Sequence, residues 1–241
     1  MTVTEPTRPR SRQPVISAVL FDLDRTLIDL ERATRLAIGA HVGPEAYPEW
    51  KRLERLHVQR YVDGVSTIEG QRRDRVREMT GEPMTDERAD AWFAAYRARL
   101  ETELRLFEDT VAALDHIEAG LGVPVGIVTN METDYQLAKM TAVGLDPGRF
   151  ACFLGTDRLP APKPSPEAFR HACAVLGLPV DRSVVFVGDE PNTDALGAHR
   201  AGLRGVWLDR PDGLASLDPD PPAWVERITG LAQLPALLGR P

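Results

Sequence analysis

From Thr110 onward the chain alternates short apolar runs with longer segments of helical pattern, and this alternation constrains the fold most. The runs are Val123–Val128, Ala151–Leu154, Val184–Val187 and Gly205–Leu208, and an earlier one covers Val15–Phe21. Helical patterns occupy Thr110–Ala119, Thr133–Val143, Pro166–Leu176 and Thr193–Ala201. Apolar runs with no interleaved polar face read as strands buried on both sides. Strands joined through helices pair in parallel, because each chain must cross over before it returns to the sheet. Between the first strand and the rest, Leu30–Leu104 shows no strand pattern. It reads as helices over Leu30–Val42, Ala46–Val62, Thr67–Met79 and Asp86–Leu104. The third opens on Ser66-Thr67-Ile68-Glu69, a capping-box pattern in which Ser66 and Glu69 satisfy helix donors. In the fourth, Trp92, Phe93, Tyr96 and Leu100 form a core stripe, while Arg72, Arg73, Arg75 and Arg77 among Glu69, Asp74 and Glu78 read as a solvated face. The prediction is an α/β fold, a doubly wound parallel sheet core over 15–28 and 105–241 with an inserted all-helical cap over 29–104. Residues 1–14 are expected to form a disordered tail, Asp209–Pro222 a surface loop, and Leu231, Leu234 and Leu238 one face of a terminal helix.

Composition narrows the classes of function. With 241 residues, 43% of them hydrophobic and 27% charged, the chain suits an ordinary soluble globule with ample core. A net charge of -7 argues against nucleic-acid and anionic-membrane partners. Cys152 and Cys173 make no disulfide framework, although a single pair stays open. The first residues carry Arg8, Arg10 and Arg12 among prolines and lack the apolar stretch of a signal peptide. No run is long enough to span a bilayer, so the expected compartment is the cytoplasm. Nothing in the sequence speaks to oligomeric state.

The chemistry is concentrated where strands end. Val19-Leu20-Phe21-Asp22-Leu23-Asp24-Arg25-Thr26 sets two carboxylates on one side of a strand terminus. At 4 Å they would repel by about 4 kcal/mol at an effective dielectric near 20. Such a pair calls for a cation, a shared proton or open water, and alone it also fits a plain polar junction. Thr129-Asn130 follows the strand at Val128, a position that equally suits a helix N-cap. Lys163 sits in Pro160-Ala161-Pro162-Lys163-Pro164-Ser165-Pro166, with Ser165 and Pro166 suited to opening a helix. It is one of three lysines, with Lys51 and Lys139, in a chain that otherwise uses arginine; a rigid frame suggests a compact ammonium is wanted there. Finally Gly188-Asp189-Glu190-Pro191-Asn192-Thr193-Asp194 brings further acids, which could also serve the start of a helix.

Taken in order, these segments resemble the four motifs of the haloacid dehalogenase-like hydrolase superfamily, over Val15 to about Leu238. The inserted helices look like the small cap of its phosphatase branch, and the resemblance implies a Rossmann-like core. It further implies a Mg²⁺-dependent phosphatase acting on a small phosphomonoester metabolite. Asp22 would attack phosphorus and form an aspartyl-phosphate; Asp24 would protonate the leaving oxygen and later accept a proton from water. Asp22, Asp189 and the backbone carbonyl of Asp24 would hold Mg²⁺, with Asp194 behind them, while Thr129, Asn130 and Lys163 would bind the phosphate. Arg25 stands where Gly or Asn is usual, and Glu190 where Ser or Thr is frequent; neither departure removes a role. A dehalogenase would not need Asp24. A phosphomutase of the β-phosphoglucomutase type would keep every motif, and a non-catalytic binding protein on the same fold should tolerate loss of Asp22 or Lys163.

Overall fold

The computed structural model describes residues 15–211 and 221–239. The tail expected over 1–14 and most of the loop expected over 209–222 lie outside them. The chain divides into two compact units, one made of residues up to Leu23, Glu108–Thr133 and Gly148 onward, the other of Asp24–Phe107 and Asp134–Pro147.

The first unit is built on a six-stranded sheet. Its strands are β1 (Ala18–Phe21), β2 (Val125–Val128), β3 (Cys152–Leu154), β4 (Val184–Gly188), β5 (Arg204–Leu208) and β6 (Glu226–Ile228). They lie in the order β3-β2-β1-β4-β5-β6, every neighbour parallel. The order reverses between β1 and β4, which makes that junction the switch point of a Rossmann-like sheet. β1, β2 and β4 are buried throughout, as uninterrupted apolar strands require. On one face Phe169 meets Phe186 edge-on at 5.0 Å among Ala168, Ala172 and Ala198. Cys152 and Cys173 are both buried and both free thiols.

The second unit contains α1 (Leu30–His41), α2 (Tyr47–Val62), α3 (Ile68–Thr80) and α4 (Asp86–Glu103). Residues 134–147 of the chain, carrying most of a further helix (Thr133–Ala142), cluster with them. Asp29 caps α1 by accepting the Arg32 N–H at 3.1 Å. The cap of α3 is Thr67, one residue later than the Ser66 expected, and it accepts the Gly70 N–H at 2.9 Å. Trp50 packs against Trp92 and Tyr96, with ring centroids 5.5 and 4.8 Å away. Arg75 corrects the solvated-face reading of α3: it is 5% exposed, stacks 4.5 Å over Trp50 and pairs with Glu54 at 2.9 Å. Arg73 reaches Asp86 and Asp90 on α4, so the acids that pair it come from a neighbouring helix. The chain enters and leaves this unit side by side: Ile28 bridges Leu106, and Asp29 donates its N–H to the Arg105 carbonyl at 2.9 Å.

Among the described residues no helix is long and apolar enough to cross a membrane.

Candidate active site

The sheet brings four of the expected residues together. The Asp22 N–H donates to the Val187 carbonyl at 3.0 Å, so the ladder holds Asp22 one step beyond the Phe21–Val187 pair, at the carboxyl edge. Lys163 reaches the same edge, 4% exposed, and its Nζ donates to Asp22 Oδ1 at 2.8 Å and Asp194 Oδ1 at 2.7 Å. Burial works against the ammonium, but the carboxylates of Asp194 and Asp22 outweigh it and hold its pKa above the ordinary lysine range. Asp189 completes the group: one carboxylate oxygen each from Asp22, Asp189 and Asp194 lie within 4.8 Å of one another. Among these four side chains carboxylates outnumber cations three to one. Hard oxygen donors with surplus negative charge are what a divalent cation such as Mg²⁺ prefers.

Local structure explains how the charges are held. A Cβ at Gly188 would stand 2.3 Å from Asp194 Oδ2, so only glycine lets that carboxylate close on the end of β4. The same Oδ2 accepts the Glu190 N–H at 3.0 Å, and Trp207 Nε1 donates to the Asp189 carbonyl at 3.0 Å. The Asn130 amide bonds both main-chain groups of Lys163: its Nδ2 donates to the carbonyl, and the Lys163 N–H donates to its Oδ1, each at 2.8 Å. Asn130 is therefore a brace for Lys163 and not a helix N-cap. The helix that follows is closed by Asp157, whose Oδ1 accepts the Thr133 N–H and hydroxyl at 2.7 and 2.8 Å. Thr129 is buried at the end of β2, its N–H bonded to the Leu154 carbonyl at 2.9 Å.

Asp24 belongs to the helical unit and has partners that the sequence reading missed. Lys139 Nζ lies 2.5 and 2.6 Å from its two carboxylate oxygens, and Gln136 Nε2 donates to Oδ2 at 2.9 Å. The signal was a Gln-x-x-Lys spacing on one helix in a chain with only three lysines. Arg25 closes the turn in the left-handed region (φ 62°), and its N–H donates to the Ile28 carbonyl at 2.8 Å. Its Nε stands 3.9 Å from the buried Glu31, which Lys51 approaches at the same distance. Asp194, expected behind the ligand set, has a carboxylate oxygen within 4.8 Å of one each from Asp22 and Asp189.

Aspartates gathered at the switch point of a parallel sheet, with a helical unit inserted after the first strand, define an aspartate-based hydrolase on a Rossmann-like core. Comparison with known proteins agrees. A family model described as haloacid dehalogenase-like hydrolase matches residues 16–202, and the chain belongs to that family. It is 34% identical over 194 residues to a phosphoglycolate phosphatase of Neisseria meningitidis, covering 79% of each chain. It is 30% identical over 207 residues to a validoxylamine A 7'-phosphate phosphatase of Streptomyces hygroscopicus, covering 78% of this chain and 84% of that one. Among solved structures it is similar to the HAD-hydrolase YfnB of Bacillus subtilis bound to magnesium, with a TM-score of 0.76. That match covers 93% of this chain and 99% of the other at 20% identity, and it speaks to the fold alone.

Proposed function

We propose that this hydrolase is a Mg²⁺-dependent phosphatase that cleaves a small phosphomonoester through an aspartyl-phosphate on Asp22. The observation that carries the reading is the Lys163 ammonium set between Asp22 and Asp194 at the switch point. An ammonium there fixes the Asp22 carboxylate and offers charge to an incoming phosphate. Two curated relatives named as phosphatases of small metabolites support the same chemistry.

Asp22 and Asp189, with Asp194 beside them and the Asp24 carbonyl, would hold the cation. When bound it would withdraw charge from the phosphoryl oxygens and shield the carboxylates from a dianionic substrate. The chain's own groups do the rest. Thr129 donates to a phosphoryl oxygen, and Lys163 pairs with another. A carboxylate oxygen of Asp22 bonds to phosphorus as the ester P–O bond breaks, and Asp24 delivers a proton to the departing alkoxide. Asp24 then takes a proton from water, whose oxygen attacks phosphorus and returns the Asp22 carboxylate with release of phosphate. Asn130, expected to bind phosphate, acts by bracing Lys163.

The test is phosphate release from a panel of small phosphomonoesters. Activity should require Mg²⁺ or a similar hard divalent ion, and Asp22→Asn should abolish it while the protein stays folded, as circular dichroism would show. Full turnover in excess chelator, or an active Asp22→Asn protein, would overturn the mechanism. Isomerised ester in place of released phosphate would make the protein a mutase.

A further inference from the structure

Lys139 is 3% exposed, although lysine is among the residues least often found buried. Its ammonium spans both oxygens of Asp24, and Gln136, one turn earlier on the same helix face, donates a further bond to Oδ2. Two side chains three residues apart thus grip one carboxylate from across 115 and 112 positions of sequence. Burying an ammonium is costly unless its partner repays it, so the bonds to Asp24 are what keep Lys139 inside. The grip itself is supported. Lys139 Nζ sits 4.8 Å from the Tyr135 ring, and Arg97 of α4 places its guanidinium 5.0 Å from the same ring. Arg97 is held in turn by Glu101 at 3.1 Å. A continuous set of contacts therefore runs from the middle of α4 to the Asp24 carboxylate.

We propose that Lys139, with Gln136, is a positioning residue for Asp24, fixing the orientation from which that carboxylate serves the leaving group, and that Tyr135 and Arg97 tie this orientation to α4. The inference rests on the reading of Asp24 as the proton donor. Asp24 carries the proton before transfer, and Lys139 and Gln136 donate to the carboxylate left once that proton has gone to the departing oxygen. Holding that carboxylate in one geometry matters because proton transfer falls steeply when donor and acceptor are misplaced. Lys139 does not touch substrate in this scheme; its effect passes entirely through Asp24.

The experiment compares kcat/KM for the best alkyl phosphate and for p-nitrophenyl phosphate. kcat/KM covers only steps through phosphoryl transfer to Asp22, so later hydrolysis of the aspartyl-phosphate does not enter it. Nitrophenolate leaves without help from an acid, whereas an alkoxide does not. Lys139→Met should lower kcat/KM for the alkyl ester by about 10–100-fold, part of the range typical of general acids, and leave the aryl ester within about 3-fold. Gln136→Leu, a milder change, should move the ratio the same way by about 3–10-fold. The double variant Lys139→Met/Asp24→Asn should be no worse on the alkyl ester than Asp24→Asn alone. Equal losses on both esters would mean a packing role and would overturn the proposal, as would no loss or a gain on the alkyl ester. Asp24→Asn alone reports on the underlying reading: if it slows both esters alike, Asp24 is not the acid. If it slows only the alkyl ester while the Lys139 and Gln136 variants fail, the positioning role alone is wrong.

Discussion

Replacing Lys163 by methionine removes the only ammonium from the acidic group while keeping most of the side chain's volume. At 2.8 and 2.7 Å, its contacts to Asp22 and Asp194 each correspond to about 6 kcal/mol of attraction at an effective dielectric of 20. Desolvating the ammonium offsets several kcal/mol of that. Without it, Asp22, Asp189 and Asp194 would face one another within 4.8 Å, where each pair repels by about 3.5 kcal/mol at the same dielectric. The expected loss is about 3–5 kcal/mol, as for other broken buried pairs. For a chain of this size that lowers Tm by about 6–20 °C in chelator. Because the Lys163 pKa is raised, its stabilisation is fully present below the ordinary value of 10.5 and is lost only as pH rises beyond it. The gap between wild type and variant should therefore hold steady from about pH 7 to 9. Mg²⁺ should raise the melting temperature of Lys163→Met more than that of wild type, since a cation among the carboxylates replaces the missing charge; activity should stay lost. A variant that melts within about 2 °C of wild type in chelator, less than 1 kcal/mol, would refute the electrostatic account. So would an equal response of both proteins to Mg²⁺.

Two further outcomes follow from the same geometry. Gly188→Ala should cost about 10²-fold in activity, because its Cβ would force Asp194 away from Lys163 and the Glu190 N–H; an active variant with an unmoved Asp194 would contradict the close-approach argument. Burial pushes the Cys152 and Cys173 thiols up to about 11. Both should resist alkylation until the protein unfolds, and their stabilising effect should be present below the ordinary value of 9.0 and disappear as pH rises through about 11. Rapid labelling of the native protein at neutral pH would count against this.

The parallel sheet was legible because buried strands announce themselves: Val184–Val187 and Val125–Val128 have no polar face to be mistaken for a surface. The family motifs were legible because Asp22 and Asp189 directly follow the ends of β1 and β4, so the sheet determines where they stand. The missing pieces are contacts with no local signature. Lys139 lies toward the end of its helix, where a lysine is favourable on the surface, and the Gln136-x-x-Lys139 spacing says that the two side chains share a face without saying that Asp24 is their partner. Asn130 follows a strand end, a place where an amide suits a cap or a ligand equally well, and only the fold brings the Lys163 backbone to it. Arg75 was hidden among three neighbouring arginines, and its burial depends on Trp50 and Glu54 from another helix. The shift of the α3 cap from Ser66 to Thr67 is smaller: two hydroxyl residues stood side by side, and sequence alone did not separate them.

All three lysines are consumed by ion pairs, with side chains 14%, 3% and 2% exposed at Lys51, Lys139 and Lys163. Apart from five histidines, the remaining basic side chains are arginines, whose guanidinium keeps its proton across any pH the fold would survive. No lysine thus offers the solvated amine that acetylation or an activated ester would seek. Reagents of that kind should pass over the lysines of the native protein and acquire them on denaturation. The burst of newly reactive amines then doubles as a direct readout of when the charged centre comes apart.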